Sequence, residues 1–465
     1  MAKAGARSYG ALPSLHVKMT TEITQPDGSR HNTLINRLKT HPLRNLLHEE
    51  VHARPPPLIS SPISASHVVF LTDAPGLEES FEHVSRLARR FNANVPDSRA
   101  SCYYAQLGDF ELRVEKHTEF CGYTFIRSGV TDPPFAESAL SLVPEDWLEE
   151  IPGVFFAGVH VVMATGSLPD TFGPVLATWF EGQSIVGSHV VDDKAAVWTS
   201  FRLHSDGFGR FLVYNLDLSD FQAGRTVQRL LDLETYRLLA LLALPEAKEI
   251  GPRAARLDKE LSVIMDQFSG LRSTEDEYRL LGELTNLAAT VEQYRANTNY
   301  RFAATRAYQS LVTAILAELR EEKFPGMSTM TKFLERRLLP AMRTCQAVEN
   351  QLESLSRRID RAIDLLRARV DVTLESQNQK VLAQMNRRGQ LQLRLQQTVE
   401  GLSVAAISYY TVGLTRYGLE AGQAAGWPVD LKIGTGIAVP IVVIGVWWLV
   451  RRVRRGISTE DQPSD

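Results

Sequence analysis

The sequence predicts an α+β domain that gives way to long α-helices, forming a coiled-coil-like stalk, and then to a C-terminal two-helix transmembrane hairpin. Three observations predict it. Residues from about 65 to 217 fall into short apolar runs separated by turn residues, as strands do. After Ser219 the apolar spacing switches to a period of about 3.6 residues and keeps it. Near the end, Ile433–Val450 contains no charged side chain.

Residues 1–37 read as a flexible tail. They hold Gly5, Gly10, Pro13, Pro26 and Gly28 but no apolar run of the length a signal peptide needs, and Met19 is an alternative start. Residues 38–218 form the α+β domain. His67–Leu71 is a short apolar strand; Leu77, Phe81, Val84, Leu87 and Phe91 recur at helical steps. Ser101–Leu107 and Phe110–Lys116 flank Gly108-Asp109 as a hairpin, and Phe120–Arg127 follows. Val154–Met163 and Ile185–Val191 come next, and Ala195–Leu203 with Arg210–Asn215 flank Ser205-Asp206-Gly207 in a second hairpin. The pairing expected from these tight turns is mostly antiparallel.

Residues 219–398 read as a helical bundle and stalk. Leu230–Leu244 is apolar but too short to span a bilayer, and Pro245 ends it. Ile250–Phe268, Tyr278–Val291 and Tyr308–Leu319 each carry an amphipathic stripe, and Pro325-Gly326 and Pro340 punctuate. From Ala341 to Leu419 a heptad-like stripe runs through Val348, Leu352, Leu355, Ile359, Ala362, Leu366, Val370, Leu374, Val381, Met385, Leu395, Val399 and Leu402. The spacing predicts a stalk that passes straight into the first span and through which copies of the chain associate.

Residues 399–450 supply the two spans, about 401–419 and 433–450. The second, at ~1.5 Å per residue, is about 27 Å long, enough for a thin hydrocarbon core. Trp447 and Trp448 stand where an aromatic belt belongs, and Arg451, Arg452, Arg454 and Arg455 open the basic tail 451–465. The first span is less apolar, with Ser403, Ser408, Thr411, Thr415 and Arg416; hydroxyls bond back to helix carbonyls and an end-placed arginine snorkels. Arg387, Arg388 and Arg394 precede it, whereas the loop between the spans has Glu420, Asp430 and Lys432. Both basic flanks are then inside, so the bulk of the chain and both termini are expected in the cytosol, with the lipid bilayer as partner. Cys102, Cys121 and Cys345 have no metal-ligand spacing and read as reduced, buried small hydrophobes.

With 51 Lys+Arg against 54 Asp+Glu and a net charge of −3, the chain has no basic excess to neutralise phosphates, which excludes general nucleic-acid binding. The densest cluster of chemistry-bearing residues is 41–57. His48-Glu49-Glu50-Val51-His52 matches the H-E-x-x-H pattern, in which two histidines one turn apart share a zinc and the glutamate activates its water; Glu78 or Glu79 would be the third ligand. A second reading makes His41, Arg44, Glu50, His52 and Arg54 a small anion or partner site. A third is an amphipathic helix docked through Leu43, Leu46, Leu47 and Val51 and stopped by Pro55-Pro56-Pro57. No phosphate-binding loop, dinucleotide fingerprint or Ser/His/Asp spacing is present, so the cofactor is unassigned and an enzymatic role is the lesser expectation.

The run HPLR…HEEVHARPP, the α/β region, the long helices and the C-terminal ISYYTVGL..YGL resemble a family of uncharacterised bacterial membrane-anchored proteins, over nearly the whole chain after residue 38. The resemblance implies the bacterial inner membrane and no activity. The order of parts also resembles CorA-type divalent cation channels, which carry Tyr-Gly-Met-Asn at the outer end of the first span. Here Tyr417, Gly418, Leu419 and Glu420 stand there, a candidate pore mouth in which Glu420 replaces the asparagine and Arg416 precedes. Three functions follow: a tethered regulatory, sensory or scaffolding protein, a CorA-like oligomeric ion pathway, or a membrane-bound zinc hydrolase.

Overall fold

The computed structural model describes residues 40–44, 47, 48, 55–97, 100–166, 168, 172–271, 273–426, 428 and 430–457. The expected tail, residues 1–37, lies outside them. The structure contains an N-terminal sheet domain, long helices after it and an apolar C-terminal helix. In chain order the strands are β1 (Ile63–Leu71), β2 (Cys102–Leu107), β3 (Phe110–Lys116), β4 (Phe120–Ser128), β5 (Val154–Thr165), β6 (Val186–Val190), β7 (Ala195–Thr199), β8 (Gly209–Asn215) and β9 (Glu322–Lys323). The helices are α1 (Ala74–Arg90), α2 (Glu145–Glu149), α3 (Phe172–Trp179), α4 (Asp220–Leu241), α5 (Ala243–Gln267), α6 (Thr274–Leu319), α7 (Met330–Ala424) and α8 (Leu431–Ile457). Among the described residues these fall into two compact units: the chain up to Glu249 with Thr298–Val348, and Ile250–Asn297 with the chain from Glu349.

The first unit is built on one sheet of order β2-β3-β4-β1-β5-β8-β7-β6-β9. Every neighbouring pair is antiparallel except β5 and β8. Both faces are covered, so the central strands are apolar throughout rather than alternating. On one face α4, the end of α6 and the start of α7 pack Val227, Leu230, Leu231, Leu316, Leu334 and Leu338 onto Ile63, Ala65, Val161 and Val213. On the other, α1 and the segment through α2 bury Phe81, Val84, Leu87 and Trp147 against Leu112, Tyr123 and Phe125. Beside them, α3 and the residue after it bury Leu176 and Phe180 against Val162, Trp198 and Leu212.

Local signals set the helix starts. Asp73 accepts from the Gly76 amide at 3.1 Å to open α1, with Pro75 in its first turn. Ser219 and Gln222 form a reciprocal capping box on α4. Gly224 has a separate role. A Cβ there would lie 1.7 Å from the Pro57 carbonyl oxygen, so the prolines that close the 41–57 motif lie directly on α4. Ile59, two residues on, is buried and donates its amide to the Asp220 carbonyl at 3.1 Å.

The helices differ from the expected pattern in three places. Pro245 separates α4 from α5 but lies inside the first turn of α5, where a missing amide costs nothing. The stripes at Tyr278–Val291 and Tyr308–Leu319 belong to a single 46-residue helix, α6. Pro340 does not punctuate: α7 runs 95 residues through Pro340, Gly389 and Gly401, with Leu334, Leu338 and Met342 buried around the proline to hold the turn in place.

In the second unit Leu261 and Ile264 of α5, Leu280, Leu284, Leu287 and Val291 of α6, and Leu355, Ile359, Ala362 and Leu366 of α7 form one three-helix core. Arg369 closes its end by donating to the carbonyls of Phe268 and Leu271 at 2.9 Å each and pairing with buried Glu277 at 3.0 Å. From Asp371 to Val399 every residue of α7 except Thr373 is exposed. Of the expected pair of spans the structure supports one: among the described residues Leu431–Arg452 alone is long and apolar enough to cross a membrane, and none of it is buried. The 401–419 stretch continues α7 but has too many hydroxyls, with Arg416, to match that composition.

Candidate functional site

Two strands repeat a phrase. β1 carries His67-Val68-Val69-Phe70-Leu71 before Thr72, and β5 carries His160-Val161-Val162-Met163-Ala164 before Thr165. The strands are antiparallel neighbours in a register that pairs Ser66 with His160 and His67 with Val159. Because side chains alternate, the two histidines emerge on opposite faces of the sheet. Each sits at the centre of a buried polar row.

The row on the α3 side crosses three strands, β1, β5 and β8, and reaches the turn after β7. Ser66 Oγ lies 2.9 Å from His160 Nδ1, and the His160 ring stacks on Phe208 at 4.3 Å between centroids. His160 is in register with Arg210 of β8. Arg210 pairs with Asp206 at 2.8 Å and Glu181 at 3.1 Å, and donates to the Trp179 carbonyl at 2.9 Å. Glu181 accepts from the Ser205 amide at 3.0 Å and hydroxyl at 2.7 Å. Its carboxylate stands 3.5 Å from His204 Nδ1, and the other ring nitrogen of His204 is 3.1 Å from Ser200 Oγ. Burial pulls His160 down to about 4, with Asp206 opposing and Arg210 and His204 assisting. Burial and then Arg210 lower His204 as well. Against burial, the Arg210 hydrogen bond holds Asp206 below the usual carboxylate range.

On the α4 side His67 Nδ1 lies 2.8 Å from Thr124 Oγ1. Diagonally across, Gly122 leaves room for the ring: a Cβ there would stand 2.9 Å from His67 Cε1. Arg113 donates twice to Glu115, at 2.7 and 3.0 Å, both side chains being buried, and Gln228 of α4 reaches the second Glu115 oxygen at 3.4 Å. Burial pulls His67 down to about 4; Glu115 opposes this and His117 adds to it. Where the hairpin joins β3 to β4, Glu119 accepts from Arg301 at 2.8 and 3.2 Å and from the Tyr308 hydroxyl at 2.6 Å, which fixes α6 to the sheet.

Ser200, His204 and Glu181 have the connectivity of a nucleophile, a base and an orienting acid. Their surroundings deny them that chemistry. Ser200 is 2% exposed, and the His204 nitrogen facing Glu181 makes no hydrogen bond. No substrate carbonyl can approach the hydroxyl, so the network acts by fixing the turn between β7 and β8 onto the end of α3. Ser66, also fully buried, is closed to substrate in the same way.

The residues singled out in the sequence lie elsewhere. His41, Arg44 and His48 are exposed, while Leu46, Glu49, Glu50, Val51, His52 and Arg54 lie outside the described residues. Leu43 and Leu47, two of the four residues read as docking an amphipathic helix, are 48% and 61% exposed and dock nothing among the described residues; Leu46 and Val51 lie outside these. Glu78 and Glu79 are exposed on α1, and among the described residues no group of three or more His, Cys, Asp or Glu side chains is placed to hold a metal ion. Tyr417 and Gly418 are exposed on α7, and Glu420 is paired with Arg416 at 3.0 Å. Nothing supports the CorA resemblance beyond the order of parts. Cys121 and Cys345 are buried and Cys102 half-buried, with no disulfide among them, and burial pushes the Cys121 thiol up to about 12.

The arrangement defines a protein of mixed α+β type whose internal polar groups serve the fold and whose unsatisfied surface lies on its C-terminal helices. The chain belongs to DUF3422, a family described as protein of unknown function, which matches residues 39–457. No curated protein and no solved structure matches it.

Proposed function

We propose that the protein is a membrane-tethered scaffold or regulator of the bacterial inner membrane, its sheet unit held in the cytosol by a C-terminal helical hairpin. The observation that carries this reading is α8: Leu431–Arg452 is apolar, long enough to span, and buried nowhere. In water such a surface costs about 25 cal/mol per Å², which a hydrocarbon core removes. The Arg451 and Arg452 guanidinium groups lie 4.9 and 5.1 Å from the Trp447 and Trp448 rings, a basic and aromatic end suited to a headgroup layer.

The end of α7 supports a second, weaker span. Val404, Ser408, Thr411, Val412, Thr415 and Leu419 are shielded at three- and four-residue steps, and so are Leu431, Gly434, Thr435, Ala438, Val442, Val446 and Val450 of α8. That is the periodicity of two helices sharing a face. Ser403, Thr411, Thr415 and Thr435 bond back to carbonyls one turn earlier at 2.7–2.8 Å, which satisfies the hydroxyls in lipid. The Arg416–Glu420 pair neutralises the remaining charge.

The test is fractionation of cells expressing the full chain and a chain lacking residues 399–465. The full chain is expected in the membrane pellet after carbonate and high-salt washes and released only by detergent, the truncated chain in the supernatant. A full chain that washes off without detergent overturns the reading.

A further inference from the structure

We propose that residues 371–402 of α7 pair in parallel with the same residues of a second copy of this chain, with Arg388 in the seam between them. The proposal rests on the tethering reading, because anchors in one membrane point both copies the same way.

Among the described residues none covers the apolar side of the helix here. Arg369 latches the turn between α5 and α6, and beyond it Gln377 reaches Thr274 at 3.4 Å. After Arg369, Leu374, Val381, Met385, Leu391, Leu395, Val399 and Leu402 are 40–73% exposed. At about 100° per residue all seven fall within roughly a third of the helix circumference, the breadth of an apolar stripe. Gln379, Asn386, Gln390 and Gln397 occupy the opposite side. The stripe continues the seam that the bundle buries upstream at Leu355, Ile359 and Leu366, so one helix offers a covered and an uncovered part of the same pattern.

Charge selects the direction. Taking Leu374, Val381, Arg388, Leu395 and Leu402 as one seam position at seven-residue steps, the residue before each of the middle three is Lys380, Arg387 and Arg394. This makes one edge of the stripe uniformly basic. In a two-stranded antiparallel pair like edges face each other, setting three cations against three. In a parallel pair that edge faces the other one, which carries Asp371, Asn378, Met385, Gln392 and Val399 and no cation. Arg388 is then the single charged residue among apolar seam layers, the kind of residue that fixes register at a cost in strength.

Single cysteines placed in the full chain, in membranes, test this under mild oxidation, with the parent chain as control for Cys102, Cys121 and Cys345. V381C and L395C are each expected to form self-linked dimers at least tenfold above N386C on the opposite face. A mixture of V381C and L395C chains is expected to give no cross-linked heterodimer, since the two positions are about 21 Å apart along a helix. Equal linking at 381 and 386, no linking at 381 and 395, or abundant 381–395 heterodimer each overturns the proposal. Each sample is also tested for wash-resistance in the pellet: a chain that pellets yet fails to cross-link loses the pairing and keeps the tether, and a chain that leaves the pellet loses the tether. R388L is expected to slow exchange between tagged copies at least fivefold, and unchanged exchange removes Arg388 from the seam.

Discussion

The sheet unit and the stretch from Asp371 to Arg452 solve opposite problems. In the sheet, polar groups are buried and answered from within: Ser66 by His160, Thr124 by His67, Glu115 by Arg113 and Gln228. In the C-terminal stretch, apolar groups are exposed along residues 371–399 and over most of Leu431–Arg452. A buried polar group left alone costs several kcal/mol, and an exposed apolar side chain costs about 1.5–3 kcal/mol. The first region is therefore complete as a folded object, whereas the second is complete only in surroundings of another kind.

Four measurements break or sharpen that contrast. Arg113→Met leaves the Glu115 carboxylate buried without its partner and is expected to destabilise the sheet unit by about 3–5 kcal/mol, read from denaturant midpoints of the detergent-solubilised chain; a loss below about 1 kcal/mol would mean the pair is solvated. Gly224→Ala drives a methyl into the Pro57 carbonyl and is expected to cost about 3 kcal/mol, with faster proteolysis of the segment before Ile59. A normal midpoint would mean that this segment does not rest on α4.

Acid gives the third. His67 and His160 are held near 4 in the fold against an ordinary 6.5, so between these values the unfolded chain binds protons that the folded chain refuses. Their neutral-form stability is full above pH 6.5 and falls as the pH drops towards 4, by on the order of 2–3 kcal/mol per histidine. A midpoint that stays constant from about pH 7 to about pH 4.5 contradicts the buried neutral imidazoles. The smallest effect is expected at Val381→Ser, under about 0.5 kcal/mol on the unfolding midpoint, since that side chain touches solvent in the single chain. A larger loss in the monomeric form would show that the chain itself covers the stripe.

What was legible in the sequence follows the same division. Phe110–Lys116 is bounded to the residue because Gly108-Asp109 marks the hairpin and the apolar pattern is local. α8 is legible for a similar reason, since eighteen uncharged residues need no partner to be recognised. The polar rows are not, because Ser66 and His160 are 94 residues apart and a histidine before two valines reads as one more strand residue. The repeated His-Val-Val is the available signal: it marks two strands with the same burden at the same place. Pro340 reads as a stop because local punctuation carries no information about the packing of Leu338 and Met342, which overrides it. The two-residue strand β9, Glu322–Lys323, is too short for any pattern to announce.

Arg369 gives α7 a property that its geometry hides. Up to this residue the helix shares its opening cost with α5 and α6; from Gln377 to Val399, where every residue is exposed, each amide is protected only by its own turns. Hydrogen exchange along this uninterrupted helix is therefore expected to rise abruptly near Arg369 in a dilute single chain, and the size of that step measures how much protection a neighbour restores. The backbone is continuous there, but resistance to opening is not.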